Sequence, residues 1–347
     1  MAAKLLINEK WRSHQYVTGV QRYASQLIDS LNSNGLEYDS AQPTSSSRIS
    51  QTIWEQCKLP TLAKKYDTLL CPANMAPLVM PNGVRLVLTL HCLRFYYHPE
   101  NYPPSFVAWY RFAMPKLIEN ASTVLTVSET AASEIQSVYP GAKGKVQVVY
   151  PGVSNHFQVS ITKTEQNALP GPYWVFVGNA GGVKNMRVLI ESLQFSGNPH
   201  RIMLLGVNTE QLHAFFNQHP YLIPCSSMVT PLGHVNDIHR VASIMGNAAG
   251  LLAPSRYESF NLPLIEAMAC GIPVLASDTK VHREIGADVP VFISQSDAQA
   301  WAHAMDSIVN DHEHARNLGE QGIARAADFT WDVAAKSVIH ILKDLSD

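Results

Sequence analysis

Between Ser255 and Ser277 the chain reads SRYESFNLPLIEAMACGIPVLAS, and no other stretch restricts the fold as much. Pro263 suits the first position of a helix, Gly271 the residue just past its end, and Pro273 forbids continuation, so the spacing predicts a helix of about two turns. Leu264, Ile265, Ala267, Met268 and Ala269 leave that helix no solvent face, and such a helix belongs in a core or beneath the floor of a cleft. Glu266 sits in its middle, where an unpartnered carboxylate would be costly, so a cation or a hydroxyl-rich ligand should meet it. Glu258 precedes it in the loop that feeds the helix. Ser259, Phe260 and Asn261 then place backbone N–H groups at the helix start, where unsatisfied donors and the helix dipole favour an anion. With the preceding strand, GLLAPS, this is one unit of an open α/β sheet whose loop lies at the carboxyl end of the strand, where such sheets bind ligands. A solvated loop carboxylate and a salt-bridged helix carboxylate form the plainer reading. The apolar surroundings favour a site for an anion flanked by hydroxyls.

A chain of 347 residues predicts two domains of ordinary size, and 46% hydrophobic residues against 16% charged ones suffice for real cores. The net charge of −2 hides an asymmetry: residues 1–150 hold 14 Lys and Arg against 10 Asp and Glu, the remainder 12 against 18. No basic run or interleaved aromatic stripe exists, which argues against nucleic acid as a partner and leaves an anionic acceptor or a membrane surface open to the basic half. Five cysteines, widely spaced and without a C-x-x-C pair, suggest reduced thiols and a cytoplasmic protein. The opening MAAKLLINEK is too short in its apolar run for a signal peptide, and no later stretch reaches the length of a membrane span, so any membrane contact is expected to be peripheral.

KLLINE (Lys4–Glu9) reads as a first strand, followed by a helix from Thr18 with Gly19 at the turn, where a residue without Cβ lets a ligand approach the backbone. From Ser30 to Ser50 the chain is polar and reads as a surface excursion. Helical patterning resumes at Ile53, followed by the strand TLLCP. VRLVLTLH (Val84–His91) is a buried-strand run that ends in His91 at its carboxyl end. PSFVAWYRFAMPKLIEN predicts a helix that either packs on the core or turns its aromatics to a membrane. TVLTVSETAASEI gives a strand and a helix entered at Ser128, and VQVVYPGVSNHF closes the first domain. YWVFVGNAGGVKN runs a buried strand into a Gly-rich turn, an arrangement in which the backbone about Gly178 and Asn179 cradles phosphate while Lys184 neutralises it. RIMLLG and MVTPLGHVNDIHRV continue the alternation, with Asp237 placed to cap a helix. The predicted domains are 1–155, a linker over 156–171, 172–329, and a last helix over 330–347.

Glu258 to Gly271 resembles the E-x7-E signature of the retaining glycosyltransferases of family 4. Those proteins have the GT-B fold, two facing Rossmann-like domains with parallel sheets, and a C-terminal helix that crosses back to the first. The resemblance implies that Glu258 contacts hydroxyls of a donor sugar, Glu266 the ribose of its nucleotide, and Lys184 the diphosphate. It implies also that Gly19, within TGVQRY, faces the diphosphate, that His91 lies near the 6-hydroxyl of the sugar, and that Val235 and Asp237 meet the base. The HPE at His98–Glu100 matches as well. Gln21 stands where the family has a second glycine, Cys92 where it has Asp, and Gly181 where it has an Arg, a charge that Arg187 or Arg256 would then have to supply.

The implied activity is transfer of a sugar from a nucleoside diphosphate to a glycan or lipid-linked acceptor, with retention, by front-face attack in which the leaving phosphate takes the acceptor proton. The segments WEQ..LP and GN....KN resemble bacterial polysaccharide mannosyltransferases, which puts GDP-mannose first among donors and a UDP-sugar next. No cofactor is expected, and no metal, since the chain has no DxD motif and no His/Cys/Asp cluster at ligand spacing. The expected place of action is the cytoplasm, with the inner face of the membrane reached through the first domain. Alternatives are another GT-B enzyme, such as an epimerase or a phosphorolytic enzyme, and a non-catalytic subunit that binds nucleotide sugar.

Overall fold

A computed structural model describes residues 4–13, 18–45, 47–158 and 172–345, so nearly all of the expected linker lies outside the described residues. The chain divides into two compact units, Met1–Gly152 with Thr330–Asp347, and Val153–Phe329. Among the described residues each unit carries a six-stranded sheet in which every pairing is parallel.

In the first unit the strands are β1 (Leu5–Asn8), β2 (Asp39–Ala41), β3 (Thr68–Cys71), β4 (Arg85–Thr89), β5 (Ala121–Thr126) and β6 (Val146–Val148), in the order β2-β1-β3-β4-β5-β6. Chain direction across the sheet reverses between β1 and β3. β1 and β3 are buried at every position, as a parallel sheet covered on both faces requires. The helix Gly19–Ser33 turns Tyr23, Ala24, Leu27, Ile28 and Leu31 inward at helical spacing and opens with a capping box between Thr18 and Gln21. Against it packs the last helix, Trp331–Asp344, whose Trp331 carbonyl accepts from Ser30 Oγ at 2.9 Å and whose indole meets Tyr23 edge-on. The polar stretch expected to be a surface excursion instead supplies β2. Its first two residues are exposed and only Ala41 is buried, so this edge strand has no hydrophobic pattern to read. The helix Pro104–Asn120 buries Val107, Ala113, Met114, Leu117 and Ile118, with Phe106, Trp109 and Tyr110 packed against the same core. Phe112 alone among its aromatics is largely exposed, so the core alternative holds for this helix.

In the second unit β7 (Trp174–Val177), β8 (Ile202–Leu205), β9 (Val229–Gly233), β10 (Gly250–Ala253), β11 (Val274–Ser277) and β12 (Val291–Ile293) take the order β12-β11-β10-β7-β8-β9. Here the direction reverses between β7 and β10, which pair with Leu251 opposite Val175. Such a reversal opens a crevice outside the carboxyl ends of the two strands. The core is built around Trp174, Phe176, Leu204, Leu252, Leu275 and Trp301, all essentially inaccessible. The predicted short helix spans Leu262–Ala269, with Pro263 in its first turn, and Gly271 follows it at φ +69°, a left-handed cap that glycine adopts without steric cost.

Candidate active site

The loops after β7 and β10 meet at the crevice of the second unit. β7 runs into Gly178 and Asn179, whose Oδ1 accepts from Gly181 N at 3.0 Å and closes a local turn. A 3-10 turn, Gly182–Lys184, then delivers Lys184 back over Gly178. A Cβ at Gly178 would stand 3.1 Å from two carbons of the Lys184 stem, so the glycine makes room for the lysine to lie across the strand end. Arg256 N donates to Val183 O at 2.8 Å and ties the two loops together.

Lys184 Nζ lies 2.5 Å from Glu258 Oε1, with 18% and 15% of the two side chains exposed. Burial pushes the Glu258 carboxyl upward, but the charge and hydrogen bond of Lys184 outweigh it and hold the group below the usual carboxylate range. Asn261 ends the loop at φ +76°. Phe260 points into the core and meets Phe329 edge-on, so only its backbone is available to a ligand. Glu266 follows on the helix and is 2% exposed. One carboxylate, one ammonium and a helix start thus share the crevice that the strand order creates. An ion pair of this kind adds little net stability, because desolvation offsets attraction, so an incoming anion can take Glu258's place on the lysine at small cost.

Val235 lies in the loop after β9, at the same edge of the sheet but two strands from β7. The Asp237 carboxylate accepts from His239 N at 2.9 Å and caps the helix Ile238–Gly246. Of the two arginines considered for the missing charge, Arg187 is turned away, 2.5 Å from Glu191. Arg256 is exposed beside Asp278, Ser294, Gln295 and Ser296.

Gly19 and His91 belong to the first unit, Gly19 at the start of its first long helix and His91 two residues past the carboxyl end of β4. Gly19 opens its helix, and among the described residues nothing stands within 4 Å of where its Cβ would be. His91 is 7% exposed and meets Tyr23 edge-on. Its backbone N–H donates to Asn74 Oδ1 at 2.8 Å, and its Nε2 lies 2.9 Å from the Pro72 carbonyl. A carbonyl only accepts, so Nε2 carries the proton and Nδ1 keeps its lone pair. Burial lowers the pKa of His91 to about 4 against a smaller upward pull from that carbonyl. The imidazole is therefore neutral at physiological pH.

Sequence reasoning passed over Asn74, Asn185 and His282. Asn185 stands at φ +55° and donates from Nδ2 to Pro254 O and Gln295 O, pinning the lysine turn to the loops after β10 and β12. Asparagine is among the few residues that tolerate this conformation, and a loop Asn beside glycines is the one signal available.

Comparison with known proteins agrees with this geometry. The model described as "Glycosyltransferase Family 4" matches residues 34–156, and that described as "Glycosyl transferases group 1" matches residues 160–325. The O-antigen chain mannosyltransferase B of Escherichia coli is 24% identical over 276 residues, which cover 75% of this chain and 70% of that protein. Sucrose-phosphate synthase from Thermosynechococcus elongatus has a similar fold, with a TM-score of 0.77, 17% identity and 99% of each chain covered. Anabaena HepE in complex with UDP and glucose gives a TM-score of 0.74, 17% identity, and 99% and 100% coverage. With the two models consecutive along the sequence and two doubly wound parallel sheets of the GT-B type beneath them, the chain belongs to glycosyltransferase family 4.

Proposed function

We propose that this chain moves mannose from GDP-mannose to a glycan or lipid-linked acceptor in polysaccharide biosynthesis, with retention at the anomeric carbon and without a metal. The observation that carries the reading is the Lys184–Glu258 pair at the strand reversal, beside a helix start. A donor diphosphate would displace the carboxylate from Lys184 Nζ, and Glu258, an acceptor through both oxygens, would turn to hydroxyls of the sugar. Glu266 takes the ribose in this scheme, and Val235 and Asp237 the base.

As the glycosidic bond breaks, charge grows on the leaving phosphate. Lys184, the backbone about Gly178 and Asn179, and the N–H groups of Ser259 to Asn261 are preorganised to receive it, and one such donor is worth a few kcal/mol. The acceptor hydroxyl attacks on the face that the phosphate leaves, and the leaving phosphate takes its proton, so neither a protein base nor a nucleophile on the far face of the sugar is needed. His91, neutral with a lone pair on Nδ1, suits a hydrogen bond from the 6-hydroxyl rather than an acid's role. Gly19 leaves its helix start open to the diphosphate. Among the described residues no three His, Cys, Asp or Glu side chains gather at metal-binding distance. No described helix is long and apolar enough to cross a membrane. The setting proposed is the cytoplasm, with peripheral contact to a membrane that carries the acceptor, and the five cysteines are free thiols.

The mannosyl choice leans on the O-antigen enzyme, and the UDP complex of HepE makes a UDP-sugar the competing donor. Incubation with GDP-mannose or UDP-glucose and a polyprenyl-diphosphate-linked glycan, with products read by NMR, tests the proposal. Mannosyl transfer with the anomeric configuration of the donor supports it. Transfer from UDP-glucose alone reassigns the donor, whereas an epimerised nucleotide sugar formed without acceptor, or a sugar phosphate formed with inorganic phosphate, replaces the reaction.

A further inference from the structure

His282 has no part in the mechanism above, yet its side chain ties together the floor of the site. It lies on the helix Lys280–Gly286 that follows β11 and is fully buried. Its Nδ1 is 2.9 Å from the Ser277 carbonyl oxygen, an acceptor only, so Nδ1 carries the proton. Nε2 is left with a lone pair, and Asn261 Nδ2, 2.8 Å away, donates to it. Ser277 Oγ lies 3.1 Å from Nδ1 and donates to the Ser255 carbonyl at 2.5 Å. One imidazole is therefore connected to both ends of the loop 255–261, and Glu258 sits at its middle.

The connection matters because Asn261 holds a left-handed conformation, which asparagine tolerates better than other residues with a Cβ but keeps only where its surroundings hold it. Burial keeps the imidazole below its ordinary pKa, against upward pulls from the Ser277 carbonyl and Glu258, while Lys184 adds to the lowering. Nε2 thus stays an acceptor at neutral pH. We propose that His282 is a positioning residue: by holding Asn261 directly and Ser255 through Ser277, it sets the loop that presents Glu258 and the Ser259–Asn261 backbone to the donor. The role in transfer rests on the function proposed above; the clamp on the loop does not.

Hydrogen–deuterium exchange of loop peptides and steady-state kinetics on wild type, His282→Phe, His282→Gln and Asn261→Gly test it. Phenylalanine fills the space without the hydrogen bonds, so loop amides should exchange about tenfold faster and kcat should fall about tenfold, with a smaller change in KM for the donor. Glutamine can accept from Asn261 and should restore most of both. Asn261→Gly keeps the left-handed backbone but removes the amide. It should loosen the same loop, and the double variant His282→Phe with Asn261→Gly should be no worse than His282→Phe alone. Wild-type exchange and kcat in His282→Phe would overturn the assignment. So would faster exchange spread evenly over residues 172–329, or failure of glutamine to do better than phenylalanine. Should His282→Phe not fold, unchanged loop exchange in Asn261→Gly would overturn it equally. A wild type that transfers no sugar would end the transferase reading, and loop exchange would still decide the clamp.

Discussion

Each of the two sheets places a lysine and a carboxylate at the carboxyl edge where its strand order reverses, and the two pairs are built for different ends. In the first unit Lys10 Nζ lies 2.6 Å from Glu55 Oε2, with the carboxylate side chain only 2% exposed. Its other oxygen accepts from Asn8 Nδ2 at 3.2 Å, and Asn8 also reaches the Cys71 sulfur, so each carboxylate oxygen already has a partner near the strand ends. Glu55 stands on a π-helical turn, Trp54–Lys58, whose Gln56 bonds Ala76 O and Leu78 N and holds the segment after β3. In the second unit the carboxylate hangs on a loop, is 15% exposed, and has a helix start beside it. The first pair joins a helical segment to its sheet. In the function proposed above, the second gives up its lysine to a phosphate while the carboxylate turns to hydroxyls. On that proposal, the same charges make a structural tie or a ligand site according to whether backbone donors and solvent reach the carboxylate.

The sharpest separation of the two pairs should come from Glu258→Ala, which should lower sugar transfer about a thousandfold while nucleoside diphosphate binding persists or tightens, because Lys184 is released. Turnover and calorimetry on one preparation decide it, and full activity would remove Glu258 from the reaction. Glu55→Ala should instead cost the first unit about 3 kcal/mol, since a nearly buried lysine loses its partner. Denaturant unfolding should show the loss, with nucleotide affinity in the second unit unchanged. Acid should weaken the first unit too. His91 titrates in the unfolded chain near its ordinary 6.5 but in the fold only at about 4, so the unfolded state binds more protons between those values. Stability should therefore decline as pH falls from about 6.5 to about 4, by at most about 3 kcal/mol. His91→Gln should flatten that slope in urea melts taken across the interval.

Much of this was readable in the sequence, for reasons that also explain the gaps. The strands LLIN, TLLC, GLLA and VLAS are buried on both faces, and the helix Leu262–Ala269 is bounded by proline and glycine, so local chemistry suffices to find them. Lys184 and Glu258 were legible as separate candidates. Their contact was not, because they stand 74 positions apart and the strand order brings them together. Glu55 enters the sequence reading only as part of WEQ..LP, and His282 not at all. Their roles depend on Asn8, Lys10 and Asn261, which only the fold supplies. Asp237 shows the converse, a residue whose visible contact is the capping bond its position predicted.

The most direct test of the central claim is calorimetric titration of GDP and of UDP into the wild-type protein and into Lys184→Ala, without added metal. One nucleotide should bind the wild type, and the substitution should weaken it about thirtyfold, the worth of a charge-assisted contact to phosphate. Equal affinity in the two proteins would move the diphosphate away from Lys184, and no binding of either nucleotide to the wild type would contradict the assignment of the second unit's crevice as a donor site.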